Sequence, residues 1–321
     1  MRHNLLRASL AFALLMALAS VAWAAPSYTF QSVVSPGDAA FTQLLGINNS
    51  STIAGYFGDG MIVPNNGFTL VLPGSYTAEN VPGASQTQVI GINNTGWTDG
   101  FYVDSIGVTH GFTFNGSFST VDSPGTAFNQ LLGINDSGTA VGYSSLDPTG
   151  MTQQRSYMVL GTTFTYLDGL LPAGTQNNQA VGLNNAGTVA GFYVDSSGVF
   201  HGYLLSGSTL TTLNFPGSMD TQAFGINNLG QVVGDYVDGS GVMHGFTYMG
   251  GNWQTVDDPN GIGTTTINGL NDKGQLVGFY VDANDNTIGF VATPTPEPGS
   301  LALLGSGVLV GLGALRRRLM R

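Results

Sequence analysis

The residues able to do chemistry are few and recur at fixed places. Asp282-Ala283-Asn284-Asp285-Asn286 sets oxygen-bearing side chains at alternate positions, the spacing at which a calcium loop presents its ligands. Asp282, Asn284 and Asn286 are the candidate metal ligands and calcium the candidate ion. Glycine at the sixth loop position and the distal glutamate of the full motif are missing. Asp282 also belongs to a set with Asp104, Asp195 and Asp238, each following a Tyr-Val pair where a strand should end. An aspartate so placed caps the turn by accepting backbone amides. His110, His201 and His244 occupy one position in three copies of a repeat. To hold zinc they would have to converge, whereas equivalent positions of separate repeats lie apart; the expectation is a structural histidine bonded within its own repeat.

Catalytic sets are not apparent. Glu79 and Glu297 are the only glutamates, so paired-carboxylate hydrolysis would need aspartates, and those present are accounted for by turns. There is no Gly-x-Ser-x-Gly elbow and no phosphate loop. The expected protein is not an enzyme. Cysteine is absent, which removes disulfides, thiol catalysis and thiolate metal sites together. Between residues 25 and 295 only Arg155 and Lys273 are basic, against 18 acidic residues. A surface of that sign excludes a nucleic-acid partner, since phosphate binding needs a basic face.

What positions these residues is a phrase written six times, opening at Gly46, Gly91, Gly133, Gly182, Gly225 and Gly269. Successive spacings are 45, 42, 49, 43 and 44 residues, a period that marks a repeat architecture. One copy reads as four short strands: Gln88 to Asn93, Gly100 to Asp104, His110 to Phe114 and Phe118 to Asp122, separated by Gly, Asn, Asp and Pro turns. That is the pattern of a propeller blade. The third copy departs most, with a long loop from Ser144 to Arg155, Ser156-Tyr157-Met158 as third strand, and a fourth strand ill-defined around Leu171-Pro172.

Residues 28 to 37 read as a fourth strand with no preceding three, and the sixth copy has three strands, ending at Ala292, with no fourth. Pairing the surplus with the deficit closes a ring and leaves no large exposed edge. The expected fold is all-β, a six-bladed β-propeller over residues 26–293 closed by its N-terminal strand. A stacked β-solenoid has no use for complementary half-repeats. Asn48-Asn49, Asn93-Asn94, Asn135-Asp136, Asn184-Asn185, Asn227-Asn228 and Asn271-Asp272 should then form a ring of polar turns on one face. Such amides, with Trp97 and Trp253 exposed nearby, could hold a neutral polysaccharide; buried tryptophans would argue against it.

Both ends read as addresses. Residues 1–24 carry Arg2 and Arg7, an apolar run from Ala8 to Val21, and Ala22-Trp23-Ala24 before Ala25, the layout of a secretory signal peptide cleaved after Ala24. At the other end Pro294-Thr295-Pro296-Glu297-Pro298 is a stiff linker. Leu301 to Leu315 follows, about 22 Å of helix at 1.5 Å per residue, and then Arg316-Arg317-Arg318, which the positive-inside rule keeps cytoplasmic.

Residues 294–321 resemble the PEP-CTERM protein-sorting signal of Gram-negative bacteria, in the Pro296-Glu297-Pro298 tripeptide, the short transmembrane segment 301–315 and the terminal arginines. The resemblance implies recognition by a membrane-embedded exosortase, export across the inner membrane, transient anchoring by the C-terminal helix, and delivery to the cell surface or an exopolysaccharide matrix. The repeats, through Gly-Ile-Asn-Asn/Asp-x-Gly and His-Gly-Phe, resemble HAF-type extracellular repeats of bacterial surface proteins. The function expected is that of an exported structural or adhesive propeller of the surface or biofilm matrix. Its partners would be signal peptidase, an exosortase-like enzyme and exopolysaccharide or other surface proteins. The competing expectation is a secreted carbohydrate-binding or carbohydrate-active propeller.

Overall fold

Each repeat folds as a four-stranded antiparallel sheet because its strands are short, half-buried runs closed by residues that tolerate tight turns. The computed structural model describes residues 26–295. Outside that range lie the expected leader with Ala22, Ala24 and Ala25, the tripeptide Pro296-Glu297-Pro298, the stretch 301–315 and Arg316, Arg317 and Arg318. Among the described residues no helix is long and apolar enough to cross a membrane.

The chain begins with β1 (Ser27–Val33). Blade 1 comprises β2 (Thr42–Ile47), β3 (Thr52–Phe57), β4 (Asn66–Val71) and β5 (Ser75–Ala78). Blade 2 comprises β6 (Gln86–Ile92), β7 (Thr98–Val103), β8 (Thr109–Phe114) and β9 (Phe118–Val121). Blade 3 is β10 (Phe128–Ile134), β11 (Ala140–Ser145), β12 (Arg155–Leu160) and β13 (Thr163–Tyr166). Blade 4 is β14 (Asn177–Leu183), β15 (Val189–Val194), β16 (Phe200–Ser206) and β17 (Thr209–Leu213). Blade 5 is β18 (Asp220–Ile226), β19 (Val232–Val237), β20 (Met243–Met249) and β21 (Asn252–Thr255). The last three strands are β22 (Thr266–Leu270), β23 (Leu276–Val281) and β24 (Thr287–Thr295).

Blade 6 is completed by the first strand, in the order β1-β24-β23-β22. The fold is therefore a closed six-bladed β-propeller. The surplus strand is shorter than residues 28 to 37, because Pro36-Gly37 breaks it and residues 34–41 become the connector into blade 1. In blade 3 the fourth strand is Thr163–Tyr166, and Leu171-Pro172 falls beyond it, after a 3₁₀ turn at Asp168–Leu170. The ring body spans Thr29–Thr293. At the described ends of the chain, Thr295 Oγ1 donates to the Ser27 carbonyl at 3.1 Å.

The core lies within and between blades. Every third strand contributes one aromatic ring (Phe68, Phe112, Tyr157, Tyr203, Phe246, Phe290), each at most 2% exposed. Each sits opposite a second-strand glycine, as Phe68 opposite Gly55 and Tyr157 opposite Gly142. The glycine is obligatory: a Cβ at Gly142 would lie 1.9 Å from the Gln130 carbonyl oxygen. The ring covers the space the missing side chain leaves, and full burial of such a side chain stabilises by roughly 1.5–3 kcal/mol.

Where blades converge on the axis, one glycine from each meets its neighbour. A Cβ on Gly46 would come 2.7 Å from the Ile90 carbonyl, and one on Gly269 would come 2.5 Å from the Leu45 carbonyl. The second of these contacts joins blade 6 to blade 1.

Candidate functional site

A β-bulge in the innermost strand of every blade builds the axial channel. Pairing skips one residue between Leu44 and Gly46, and likewise in the other five blades. The skipped residues are Leu45, Ile90, Leu132, Val181, Phe224 and Asn268. A bulge residue has no ladder partner and its side chain is re-aimed; here all six line the channel. They form a waist, apolar except at Asn268, with two different mouths. The innermost strand starts at the side of the second-to-third-strand loops and ends at the side of the asparagine turns.

At the asparagine mouth the first asparagine of each pair organises its own turn and reaches the next blade. Asn93 Oδ1 accepts the amides of Thr95 and Trp97 at 3.0 and 2.9 Å, while its Nδ2 donates to the Asn135 carbonyl at 2.9 Å. The same donation runs from Asn48 to Asn93, then from Asn135 to Asn184, Asn227, Asn271 and back to Asn48. The second residue of each pair forms another cycle: the amide of Asn49 donates to Asn94 Oδ1, and so on through Asp136, Asn185, Asn228 and Asp272 to Asn49.

Asp136 and Asp272 stand three blades apart, across the axis. Asp136 accepts the side-chain amides of Asn94 and Asn185, and Asp272 those of Asn49 and Asn228. Partial burial opposes both charges, yet these donors hold both carboxyls below the usual range. These amides, which the sequence offered chiefly as turn formers and alternatively as a ligand platform, are thus engaged with one another. The pit between them is ≈ 70 Å³.

The opposite mouth carries residues that the sequence reading missed. Gln43, Gln88, Gln130, Gln179 and Gln222 stand three positions before the repeat glycine, with Thr266 in their place in blade 6. Opposite them on the second strands are Tyr56, Phe101, Tyr143, Phe192, Asp235 and Phe279. Gln43, Gln88, Gln130 and Gln179, with Tyr56, Phe101 and the bulge residues, enclose a cavity of ≈ 250 Å³. Its lining holds no charged side chain. Asp235, buried in the adjoining wall, is pushed up to about 7 by desolvation and accepts from Thr266 Oγ1 at 3.1 Å.

The three histidines lie in their own blades, each stacked on the second-strand tyrosine with ring centroids 5.1–5.2 Å apart. Nδ1 of His110 is 2.6 Å from Asp122, that of His201 3.0 Å from Asn214 and that of His244 2.8 Å from Asp257. Nε2 faces Asp104, Asp195 or Asp238. Each histidine therefore clasps the second turn of a blade to the end of its fourth strand. Among the described residues no three His, Asp or Glu side chains converge as a metal would require.

Asp282 caps its turn as the other three aspartates do, Oδ1 accepting the amides of Asn284 and Asn286 at 2.8 and 2.9 Å. The side-chain amide of Asn286 donates to Asp282 Oδ2 at 3.0 Å, and these donors lower the Asp282 pKa. Trp97 and Trp253 are half-buried. Trp97 lies over the turn glycine Gly138 of the next blade and packs on the blade 3 core. Trp253 packs on Phe215, Phe246 and Tyr248 in blade 5. Neither is an exposed platform.

Residues 294–318 match the PEP-CTERM protein-sorting motif. The chain thus carries the sorting signal of an exported protein after its propeller. No curated protein matches the chain. Among solved structures, AofleA from Arthrobotrys oligospora is similar with a TM-score of 0.51 at 8% identity, over 82% of this chain and 86% of its own. The SapL1 lectin in complex with α-methyl fucoside has a TM-score of 0.50 at 12% identity, over 82% of this chain and 98% of its own. The fucose-specific lectin from Aleuria aurantia follows with a TM-score of 0.48 at 12% identity, over 81% of this chain and 98% of its own. The first two support the propeller fold.

Proposed function

We propose that the protein is an exported, non-enzymatic propeller that serves as a structural or adhesive component of the cell surface or extracellular matrix of a Gram-negative bacterium. The observation that carries this reading is the sorting motif over residues 294–318, placed directly after a closed ring. In this reading signal peptidase removes the leader after Ala24, and the tail holds the chain in the inner membrane until an exosortase-like enzyme acts near Pro296-Glu297-Pro298. The repeats are then of the HAF extracellular type. The acidic body and the use of its aspartates in turns and clasps agree with a role in display.

Intact-mass measurement of the native protein, fraction by fraction, tests the reading. A surface or matrix form lacking residues 1–24 and everything beyond the Pro-Glu-Pro region is expected. A protein found only in cytosol, or one keeping Arg316 to Arg321 in every fraction, overturns it.

A second reading, binding of a neutral glycan, is favoured by one specific observation: a cavity whose lining joins amides to aromatic rings and holds no charged side chain. One solved structure of similar fold is of a lectin in complex with α-methyl fucoside.

A further inference from the structure

We propose that the glutamine mouth is a binding site for a single neutral, hydroxyl-rich ring, such as one monosaccharide unit of a glycan. The proposal rests on the glycan-binding reading and deepens it, by naming the site and the class of ligand.

Size comes first. The cavity is ≈ 250 Å³, below the roughly 300–1,000 Å³ of sites for drug-sized ligands. One sugar ring fits it, whereas a nucleotide or a folded peptide does not. The asparagine mouth, at ≈ 70 Å³, has room for little more than water.

The hydrogen-bonding groups are held in place by neighbours and keep one side free. Gln43 Oε1 accepts from the Tyr56 hydroxyl at 2.9 Å, which leaves its Nε2 to donate. Gln88 Nε2 donates to Asn65 Oδ1 at 2.7 Å and Gln179 Nε2 to Gln154 Oε1 at 3.1 Å, which leaves two carbonyl oxygens to accept. Asn268 is fixed through Nδ2 to the Leu44 carbonyl at 3.1 Å, so its Oδ1 remains. A hydroxyl both donates and accepts, and a set of fixed donors and acceptors around one cavity matches several hydroxyls on one ring. Tyr56, Phe101 and Phe224 add aromatic surface, and the aliphatic bulge residues make an apolar floor. Such a combination suits a ligand with one polar edge and one C–H face. No side chain in the lining could neutralise a carboxylate or an ammonium, and an unpaired charge is costly to desolvate. The ligand must therefore be uncharged.

The test uses the full chain, purified in mild detergent and titrated by calorimetry and ligand-observed NMR. The probes are D-glucose, D-galactose, L-fucose, N-acetyl-D-glucosamine and, as the charged counterpart, D-glucuronate. Expected is saturable binding of at least one neutral sugar with Kd on the order of 1 mM or tighter, and at least tenfold weaker binding of glucuronate. Val181→Phe should weaken binding at least tenfold by filling the cavity; the equivalent position in blade 5 is already Phe224, so the fold accommodates the ring. Gln130→Ala should weaken it at least threefold, and Asn94→Ala, at the other mouth, less than twofold. Thermal melts confirm that each variant is folded.

No saturable binding of any neutral sugar by the folded wild type overturns the proposal. So does equal binding of glucuronate, or binding unchanged in folded Val181→Phe. Export is read separately by fractionation and mass, so a failure of binding and a failure of the display reading cannot be confused.

Discussion

At the residue scale the outlier is Asp99. The equivalent positions in the other blades hold Ala54, Val141, Ala190, Val233 and Val277, because this point faces the seam between blades. Asp99 is fully buried there. Its Oδ1 accepts the Gly91 amide at 2.9 Å, but Oδ2 has no partner. Desolvation pushes the carboxyl up to about 8. A raised carboxyl pKa means that the folded state holds a proton the unfolded chain has released. The associated stability is complete below the ordinary carboxylate range and is lost as pH rises, the last of it through about 8. Asp235, raised to about 7, adds to the same trend at slightly lower pH. The wild type is therefore expected to melt at a lower temperature at about pH 9 than at about pH 6. Asp99→Asn, which keeps the oxygen facing Gly91, should remove the alkaline part of that decline. The effect at high pH is on the order of 1–3 kcal/mol, the cost of a buried unsatisfied group. An unchanged pH slope in the variant would show that Asp99 is already ionised or hydrated in the fold.

At the element scale the controlling feature is the bulged inner strand with its glycine. Gly133→Ala would place a Cβ 2.4 Å from the Val181 carbonyl oxygen. Backbone cannot yield as a flexible side chain can, so a loss of roughly 1–3 kcal/mol is expected. Gly239→Ala, where an added Cβ meets nothing within 4 Å and φ is not positive, should leave the melt within about 0.5 kcal/mol. Equal losses at the two sites in denaturant unfolding would refute the role given to the axial contact.

The same element explains what could be read from the sequence. Strand number, the asparagine turns and the histidine clasps follow from local patterns, because turn residues act on their own backbone and His110 needs only the chain within its blade. The glutamine mouth was equally periodic in the sequence, yet its side depends on the bulge. In a regular strand alternation alone decides which residues face the axis, and one inserted residue re-aims its neighbours. Asp99 reads by itself as a turn cap, and only the alignment of the copies, which hold Ala or Val there, sets it apart.

At the scale of the whole molecule the ring depends on β1. Phe30 packs on Phe290 with centroids 5.5 Å apart, and Val33 is buried in the core shared by the first and last blades. Deleting residues 26–33 should unmask the outer edge of β24 and loosen the one seam that ties the first blade to the last. The expected outcome is loss of the single cooperative melt in calorimetry, together with self-association on gel filtration through the opened edge. A monomer that still melts in one transition would mean that the other five seams suffice.

The arrangement of blade 6 also sets a timetable. β1 is the first strand of the body to be synthesised and β24 the last. At roughly 5–20 residues per second the first strand waits ten seconds or more for its partner. For that interval every nascent chain carries an unpaired strand, and two such chains side by side could exchange them. One face of it is exposed and polar, with Ser27, Thr29 and Gln31, which makes the waiting strand a poor template for a stranger. The fold's last act is thus a choice between self and neighbour, made wherever the emerging chain folds.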